Sequence, residues 1–501
     1  MKLFTTNSLI YALLFLYFLW TSSNGLGAFL DWSASAVGLI QRLTESFSLG
    51  QLHFKELPST ELLSLSDPYD PSLNNALRLH DASLYDGKYF SYFSPVVPLL
   101  FVLPLFKISG KFAPDALLAS VFALIIVIVA SKIISIFLET VGWEINKKYR
   151  LFIPIFFSFA SGFPFILRRS AVYEVVQLSS IAFLFLFIYF TLSYFLLPKK
   201  AGIIRSLLAS LFFSLCLASR PNVAISGLVF FVLLLMLLFI KQQNRSEIKI
   251  VYQYFASFFP LIGVTLVLMG WYNFARFGSI SEFGNHFQLA GMNVKDEELT
   301  GLKFIPVGIF GYLFTAPKFD FNFPFFRLIP QSVPAGGEFK YFPEPNMGLF
   351  GTLFGVFSIA LLYCAYRYRS HLAFSSKISL VKIASPLLVA SFTGLLLDVY
   401  LIAGTTYRYT LDFLPIYLLA VIPIVLKTIQ IEALFANPLT NLLKILIWVS
   451  IVHIIVVNFF IGFEGYLNSF MINNPSSYQL FMNVFQFPMV IVTRLLGGNI
   501  Y

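Results

Sequence analysis

Unbroken apolar runs recur along this chain at the length a bilayer demands. A hydrocarbon core about 30 Å thick is crossed by roughly 17–25 apolar residues in a helix. Such runs fall at about 8–29, 114–138, 150–167, 175–197, 206–219, 223–240, 251–272, 348–366, 380–402, 411–428 and 441–462, several of them a little short, 206–219 especially. In lipid, backbone N–H and C=O groups can bond only to protein, which favours helices. Composition agrees: 58% of the residues are apolar and 12% charged, against about 25% charged in soluble domains. The expected fold class is an all-α polytopic membrane protein of about 11 transmembrane helices with two large outer loops, 31–113 and 273–347.

The formal charge of +10 raises nucleic acid as a partner, but its distribution argues against it. Basic residues sit in short loops at alternate helix ends, where a membrane protein records its orientation. Residues 94–106 decide the register. They are apolar but short and carry Pro95, Pro98 and Pro104, each removing a backbone donor that lipid cannot replace. If this segment does not cross, Lys147, Lys148, Arg150, Lys199, Lys200, Arg205, Lys241, Arg245, Lys249, Arg367, Arg369, Lys377, Lys427 and Lys444 fall on the cytoplasmic side. The two long loops then lie outside. If it crosses, nearly all of these swap sides, so the non-crossing reading is preferred.

Residues 1–28 read as a cleaved signal peptide or a retained first helix. The second is preferred, because extension to Leu30 gives full spanning length. Cys216 and Cys364 lie in separate apolar runs and suggest neither a disulfide nor a metal site. The organisation expected is a seven-helix module over 1–347, further membrane helices over 348–462, and a tail, 463–501, that is interfacial or a twelfth span. No internal repeat supports an inverted-repeat transporter.

Polar chemistry concentrates at the outer end. Asp31 follows the first apolar run, and the loop it opens closes on Leu84-Tyr85-Asp86-Gly87-Lys88-Tyr89-Phe90-Ser91-Tyr92-Phe93. Arg168, Arg169 and Glu174 share one outer turn, Arg220 the next, and Arg276 begins the second large loop. Arg408 and Asp412 share a further turn, with Asp398 about one turn below. Guanidinium groups gathered at a membrane surface suit a phosphate, whose oxygens they bind in a fork. A carboxylate beside them suits a general base. Asp31 reads as that base or as a solvated helix terminus; Asp86 reads as a second catalytic acid or as a turn former. Lys88, Arg168, Arg169, Glu174, Arg220, Arg276 and Arg408 are the candidate substrate-binding residues. Tyr89, Phe90, Tyr92 and Phe93 would stack on a sugar or anchor the loop. His53, His80 and His286 show no metal-ligand spacing, and the run Asp296-Glu297-Glu298 reads as a solvated loop.

Several stretches resemble the integral-membrane glycosyltransferases of the GT-C fold, bacterial members above all. They are Leu30-Asp31-Trp32-Ser33, Leu84 to Ser91, Arg169-Ser170-Ala171-Val172-Tyr173-Glu174, Asn273 to Ser279, and Tyr407 to Phe413. The resemblance covers most of residues 1–430. It implies a polyprenyl-phosphate sugar as donor, a glycan, lipid or protein hydroxyl as acceptor, inversion at the sugar carbon, and Asp31 as the base. It also implies a multi-pass protein of the cell inner membrane with its active face periplasmic. Trp32 stands where many members carry a second acid, which leaves a divalent metal open. Two other classes stay open: a transporter or flippase of a lipid or solute, and a non-catalytic assembly protein using the same loops.

Overall fold

The computed structural model describes residues 2–140, 142, 147–197, 202–239, 245–295, 298–331, 341–367, 380–430 and 438–495. Lys199, Lys200, Lys241, Asp296, Glu297, Arg369, Lys377 and the side chain of Cys364 lie outside the described residues. Twelve principal helices organise the described chain. They are α1 (Lys2–Ser22), α2 (Asp115–Thr140), α3 (Lys147–Ala160), α4 (Val172–Leu196), α5 (Gly202–Ser219) and α6 (Pro221–Phe239). Then follow α7 (Arg245–Phe277), α8 (Leu353–Arg367), α9 (Leu380–Leu401), α10 (Leu414–Gln430), α11 (Pro438–Glu464) and α12 (Pro475–Leu495). Seven helical segments, within α2, α4, α5, α6, α7, α9 and α11 and the turns after it, are long and apolar enough to cross a membrane. The apolar parts of α1, α3 and α10 are shorter.

Lipid tails are as apolar as the helices, so helix association rests on close packing and interhelical polar contacts. Both are present where α4, α5 and α7 meet. The Ser206 and Ser257 hydroxyls lie 2.5 Å apart, Ser210 donates to the Phe258 carbonyl, and Thr191 meets the Tyr254 hydroxyl at 2.8 Å. Phe187, Phe213, Phe231, Tyr254 and Phe258 interleave around these contacts as one buried aromatic stack.

Residues 94–106 do not cross. Pro98–Val102 forms a π-helical stretch that continues into a short α-helix, Leu103–Ser109. The chain on either side stays at one end of the bundle: Ser33 bridges Phe112, Gln41 donates to Asp115 at 2.8 Å, and Ser120 bonds Ser22. The end of α1 and the start of α2 are therefore neighbours, as the charge pattern requires. Helix alternation then brings the starts of α4 and α6 and the ends of α5, α7, α9 and α11 to this loop end.

Three expected boundaries are corrected. The first helix ends at Ser22, short of the expected residue 29, because Asn24, Gly25 and Gly27 take left-handed backbone angles. It gains its length at the other end by starting at Lys2. Asp31 thus follows a single 3-10 turn, Ala28–Leu30, and does not end the helix itself. The span expected to run to Leu167 stops at Ala160, since Gly162 (φ 75°) turns the chain into a short helix, Phe163–Ile166. The span expected from 411 begins at Leu414, after a 3-10 segment Tyr407–Asp412.

The first loop has its own small core of Leu43, Phe54, Leu62, Ala82, Leu84 and Tyr89, which also takes in Leu289 from the second loop. Strands β1 (Ser83–Tyr85) and β2 (Lys88–Phe90) form an antiparallel hairpin at its centre. Backbone bonds between Asp81 and Leu289 (3.0 Å) and between Leu289 and Ala82 (2.8 Å) stitch the two loops together. The tail helix α12 lies against Phe323, Phe463 and Phe470 through Tyr478, Phe481 and Phe485. It is not among the helices long and apolar enough to cross.

Candidate functional site

The structure brings Arg168, Arg169, Glu174, Arg220, Arg276 and Arg408 to one end of the bundle but gives them three different environments. Arg168 is 2% exposed, and its guanidinium lies between the rings of Trp20 (4.3 Å) and Phe470 (4.0 Å). It donates to the carbonyls of Gly462 at 2.6 Å and Thr21 at 3.4 Å. Arg276 is equally enclosed: it donates to the carbonyls of Ser91 and Tyr272 and to Asn273, and rests on the Tyr272 ring at 3.8 Å. Both arginines hold the loops to the bundle.

Arg220 has a carboxylate partner. It donates to Asp412 at 2.5 Å, and the Asn222 amide reaches both Asp412 and Asp398 at 3.2 Å. The two acids are 1% exposed. A buried charge is tolerable only when paired and bonded, and this four-residue knot fixes the 3-10 segment 407–412 against α6 and α9. Gly162 supports the same segment from beneath. A β-carbon there would come 2.8 Å from the Tyr407 hydroxyl, and its φ of +75° would strain any other residue.

Arg169 and Arg408 form the third environment. Arg169 is half-buried, and its side chain has no hydrogen bond or ion pair among the described residues; it faces the rings of Tyr466 (4.5 Å) and Tyr173 (5.6 Å). Arg408 lies over the Tyr173 ring at 4.6 Å and over the Tyr409 ring at 5.4 Å. Its acidic neighbours are held loosely, Glu344 at 3.4 Å and Glu174 at 3.9 Å. Buried polar groups are ordinarily saturated, yet Arg408 Nε and Nη1, Glu174 Oε2 and Glu344 Oε2 have no hydrogen-bond partner. Glu344 is set in place by a parallel pairing of 342–343 with 404–405, and its other oxygen accepts from Tyr466 at 3.3 Å.

The Tyr173 hydroxyl continues this cluster towards the loops. It meets the Tyr92 hydroxyl at 2.7 Å, and the Gln288 amide donates to Tyr92 at 2.9 Å and to Asp81 at 2.8 Å. Burial pushes the Tyr92 hydroxyl well above the usual tyrosine range, so it remains a neutral donor. The cluster therefore joins two under-partnered guanidiniums, through the Tyr173 ring, to a group of hydroxyl and amide side chains.

Asp31, Asp86 and Lys88 take part in none of these contacts. Asp31 is exposed, and its side chain has no bond among the described residues. Asp86 and Lys88 are exposed on the hairpin, Asp86 (φ 48°) and Gly87 (φ 65°) forming its two-residue turn. Such paired left-handed angles are what a tight hairpin needs, which is the turn-former reading of Asp86. Tyr89 and Phe90 are buried in or beside the loop core, while Tyr92 and Phe93 reach the cluster. Asp81, Gln288, Glu344 and Tyr466 went unread in the sequence; each sits in an unremarkable local context and enters the cluster only through long-range packing. Among the described residues, no group of three or more His, Cys, Asp or Glu side chains is placed to hold a metal ion.

No family model and no curated protein matches this chain. Solved structures of the oligosaccharyltransferase of the archaeon Archaeoglobus fulgidus are similar in shape. Its apo form matches with a TM-score of 0.45 at 11% identity, over 90% of this chain and 56% of that one. The oligosaccharyltransferase AglB of that archaeon, in complex with an inhibitory peptide and a dolichol-phosphate, matches with a TM-score of 0.45 at 12% identity, over 95% and 59%. The chain thus spans a little over half the length of the structures it matches.

Proposed function

We propose that this membrane protein is a glycosyltransferase that moves a sugar from a polyprenyl-phosphate donor to a hydroxyl acceptor at the outer face of the cell inner membrane. The observation that carries this reading is the Arg169–Arg408 pair. Two guanidiniums with spare donors, at the loop end of membrane helices, suit a phosphate carried at that depth by a lipid. Oxygen anions bound by such forks are held strongly and in one orientation.

In the reaction the acceptor hydroxyl oxygen attacks the anomeric carbon as the bond from that carbon to the phosphate oxygen breaks. The electron pair leaves with the phosphate, and Arg169 and Arg408 stabilise the charge that develops there. The hydroxyl proton passes to a carboxylate. Asp31 is assigned that role: it is exposed, unengaged, and at the mouth of the first loop, where an acceptor arrives from solution. One displacement inverts the sugar carbon. The acceptor is a glycan, lipid or protein hydroxyl.

Mass spectrometry of lipid-linked and surface glycans tests the reading in cells carrying wild type, a deletion, or Asp31→Asn at equal expression. Loss of one sugar in both mutants is expected, with transfer by Asp31→Asn in reconstituted membranes reduced by about 10²–10⁴, the usual contribution of a general base. Full activity of that variant would remove Asp31 from the mechanism. One observation favours a second reading as a transporter: Asp398 and Asp412 form a buried acid pair among membrane helices. Flux across vesicles without a modified product would decide for it.

A further inference from the structure

Beyond the two arginines lies a second cluster of polar side chains with a composition of its own. Asp81 reaches it from the first loop, Gln288 from the second and Tyr173 from the start of α4, so three separated parts of the chain converge there. Asp81 is held in the left-handed region at φ 64°, an uncommon state for a residue with a β-carbon. Its side chain is 12% exposed: one oxygen accepts from Gln288, while the other has only His80, at 3.7 Å. Tyr92, Tyr173 and Gln288 are each half-buried as whole residues.

We infer that Asp81 and Gln288, with the Tyr92 and Tyr173 hydroxyls, form a subsite that recognises the hydroxyls of the donor's sugar. This rests on the reading of Arg169 and Arg408 as the phosphate site. Tyr173 fixes the geometry, because its ring faces both guanidiniums while its hydroxyl joins the Asp81 network. One tyrosine thus spans from a phosphate-binding end to a hydroxyl-binding end, as a sugar spans from its phosphate to its distal hydroxyls. The second Asp81 oxygen and the Gln288 carbonyl oxygen can accept from sugar hydroxyls, and the bonded Tyr92–Tyr173 hydroxyl pair keeps one hydrogen to donate. The stacked Tyr92 and Phe93 rings, 4.2 Å apart, supply an apolar wall beside them. A subsite built to bond hydroxyls rejects ligands that lack them, because its polar groups are then left unpaired.

The test measures binding of two probes to the full chain in lipid nanodiscs: undecaprenyl phosphate alone, and a panel of undecaprenyl-phosphate hexoses. For the wild type, at least one hexose-bearing probe should bind more tightly than the bare lipid phosphate. Asp81→Asn and Gln288→Ala should each erase about tenfold of that preference, the scale of a hydrogen bond to a charged group, while bare undecaprenyl phosphate binds as before. Equal weakening of both probes would make the network a structural brace and overturn the inference. So would an unchanged preference in both variants. If undecaprenyl phosphate binds only through Arg169 and Arg408 but no hexose improves on it, the subsite fails while the phosphate site stands. If Arg169→Ala and Arg408→Ala leave that lipid's binding intact, the phosphate reading itself fails.

Discussion

Arg168 and Arg169 are neighbours in sequence and opposites in surroundings. Arg168 points into a box of Trp20 and Phe470, where backbone carbonyls accept its donors. Arg169 lies half-buried against Tyr466 and Tyr173, its side chain with no bonded partner among the described residues. A guanidinium whose donors are spent on carbonyls is fixed and unavailable to a ligand. One that rests on rings keeps its in-plane donors free, since stacking leaves the edge of the fork open. A milder contrast separates Arg276, whose donors go to Tyr272, Ser91 and Asn273, from Arg408, whose Nε and Nη1 have no hydrogen-bond partner. Basic residues at a membrane surface therefore divide by what their donors already touch, and charge alone does not sort them.

Arg220 is the case that tests this division most severely, because its charge is met by a buried carboxylate. Asp412→Ala should cost about 3–5 kcal/mol of stability, the usual result of stranding one partner of a buried pair. Thermal unfolding in detergent measures it. A small loss would mean that the knot of Arg220, Asn222, Asp398 and Asp412 is open to solvent and belongs with the cluster around Arg169 and Arg408. Next comes Arg408→Ala, expected to lower transfer by about 10²–10³, as loss of one donor to developing charge does. Its unfolding temperature should fall less than that of Asp412→Ala, because its acidic neighbours lie at 3.4 and 3.9 Å. Arg168→Met should behave the opposite way. Two buried carbonyls lose a charged donor, worth about 1.5–3 kcal/mol each at most, while the folded fraction binds polyprenyl phosphate as the wild type does. If Arg168→Met instead abolished binding without loss of stability, the division drawn here would collapse.

How much of this was legible in the sequence follows from the range of the forces involved. Helix existence and alternation were readable, because lipid thickness acts on local apolar runs and leaves few ways to satisfy the backbone. The non-crossing of 94–106 was readable for a related reason: its prolines and its effect on the charge pattern agree. The corrected boundaries were set by left-handed residues such as Asn24 and by Gly162, whose positive φ answers to Tyr407, far along the chain. The arginines were found as a group, since charge near lipid is conspicuous, but their division depends on Trp20, Phe470 and Glu344 arriving from elsewhere. Asp81 and Gln288 lie 207 positions apart; their meeting is a product of loop packing that no local pattern records.

The smallest expected effect concerns Asp86, which the sequence offered both as an acid and as a turn residue. Asp86 and Gly87 provide the two left-handed residues between β1 and β2. Asparagine accepts that conformation at least as well, and Asn-Gly is a favoured pair at such turns. Asp86→Asn should therefore leave stability within about 0.5 kcal/mol, the range of neutral surface changes. Transfer should also be unchanged, because the side chain is exposed and bonded to nothing among the described residues. The comparison is sharpest beside Asp31→Asn, a like-for-like loss of charge on the same loop. If Asp86→Asn silences the enzyme and Asp31→Asn does not, the hairpin tip must bend towards the arginine cluster when an acceptor is bound, and the base has been assigned to the wrong end of the loop.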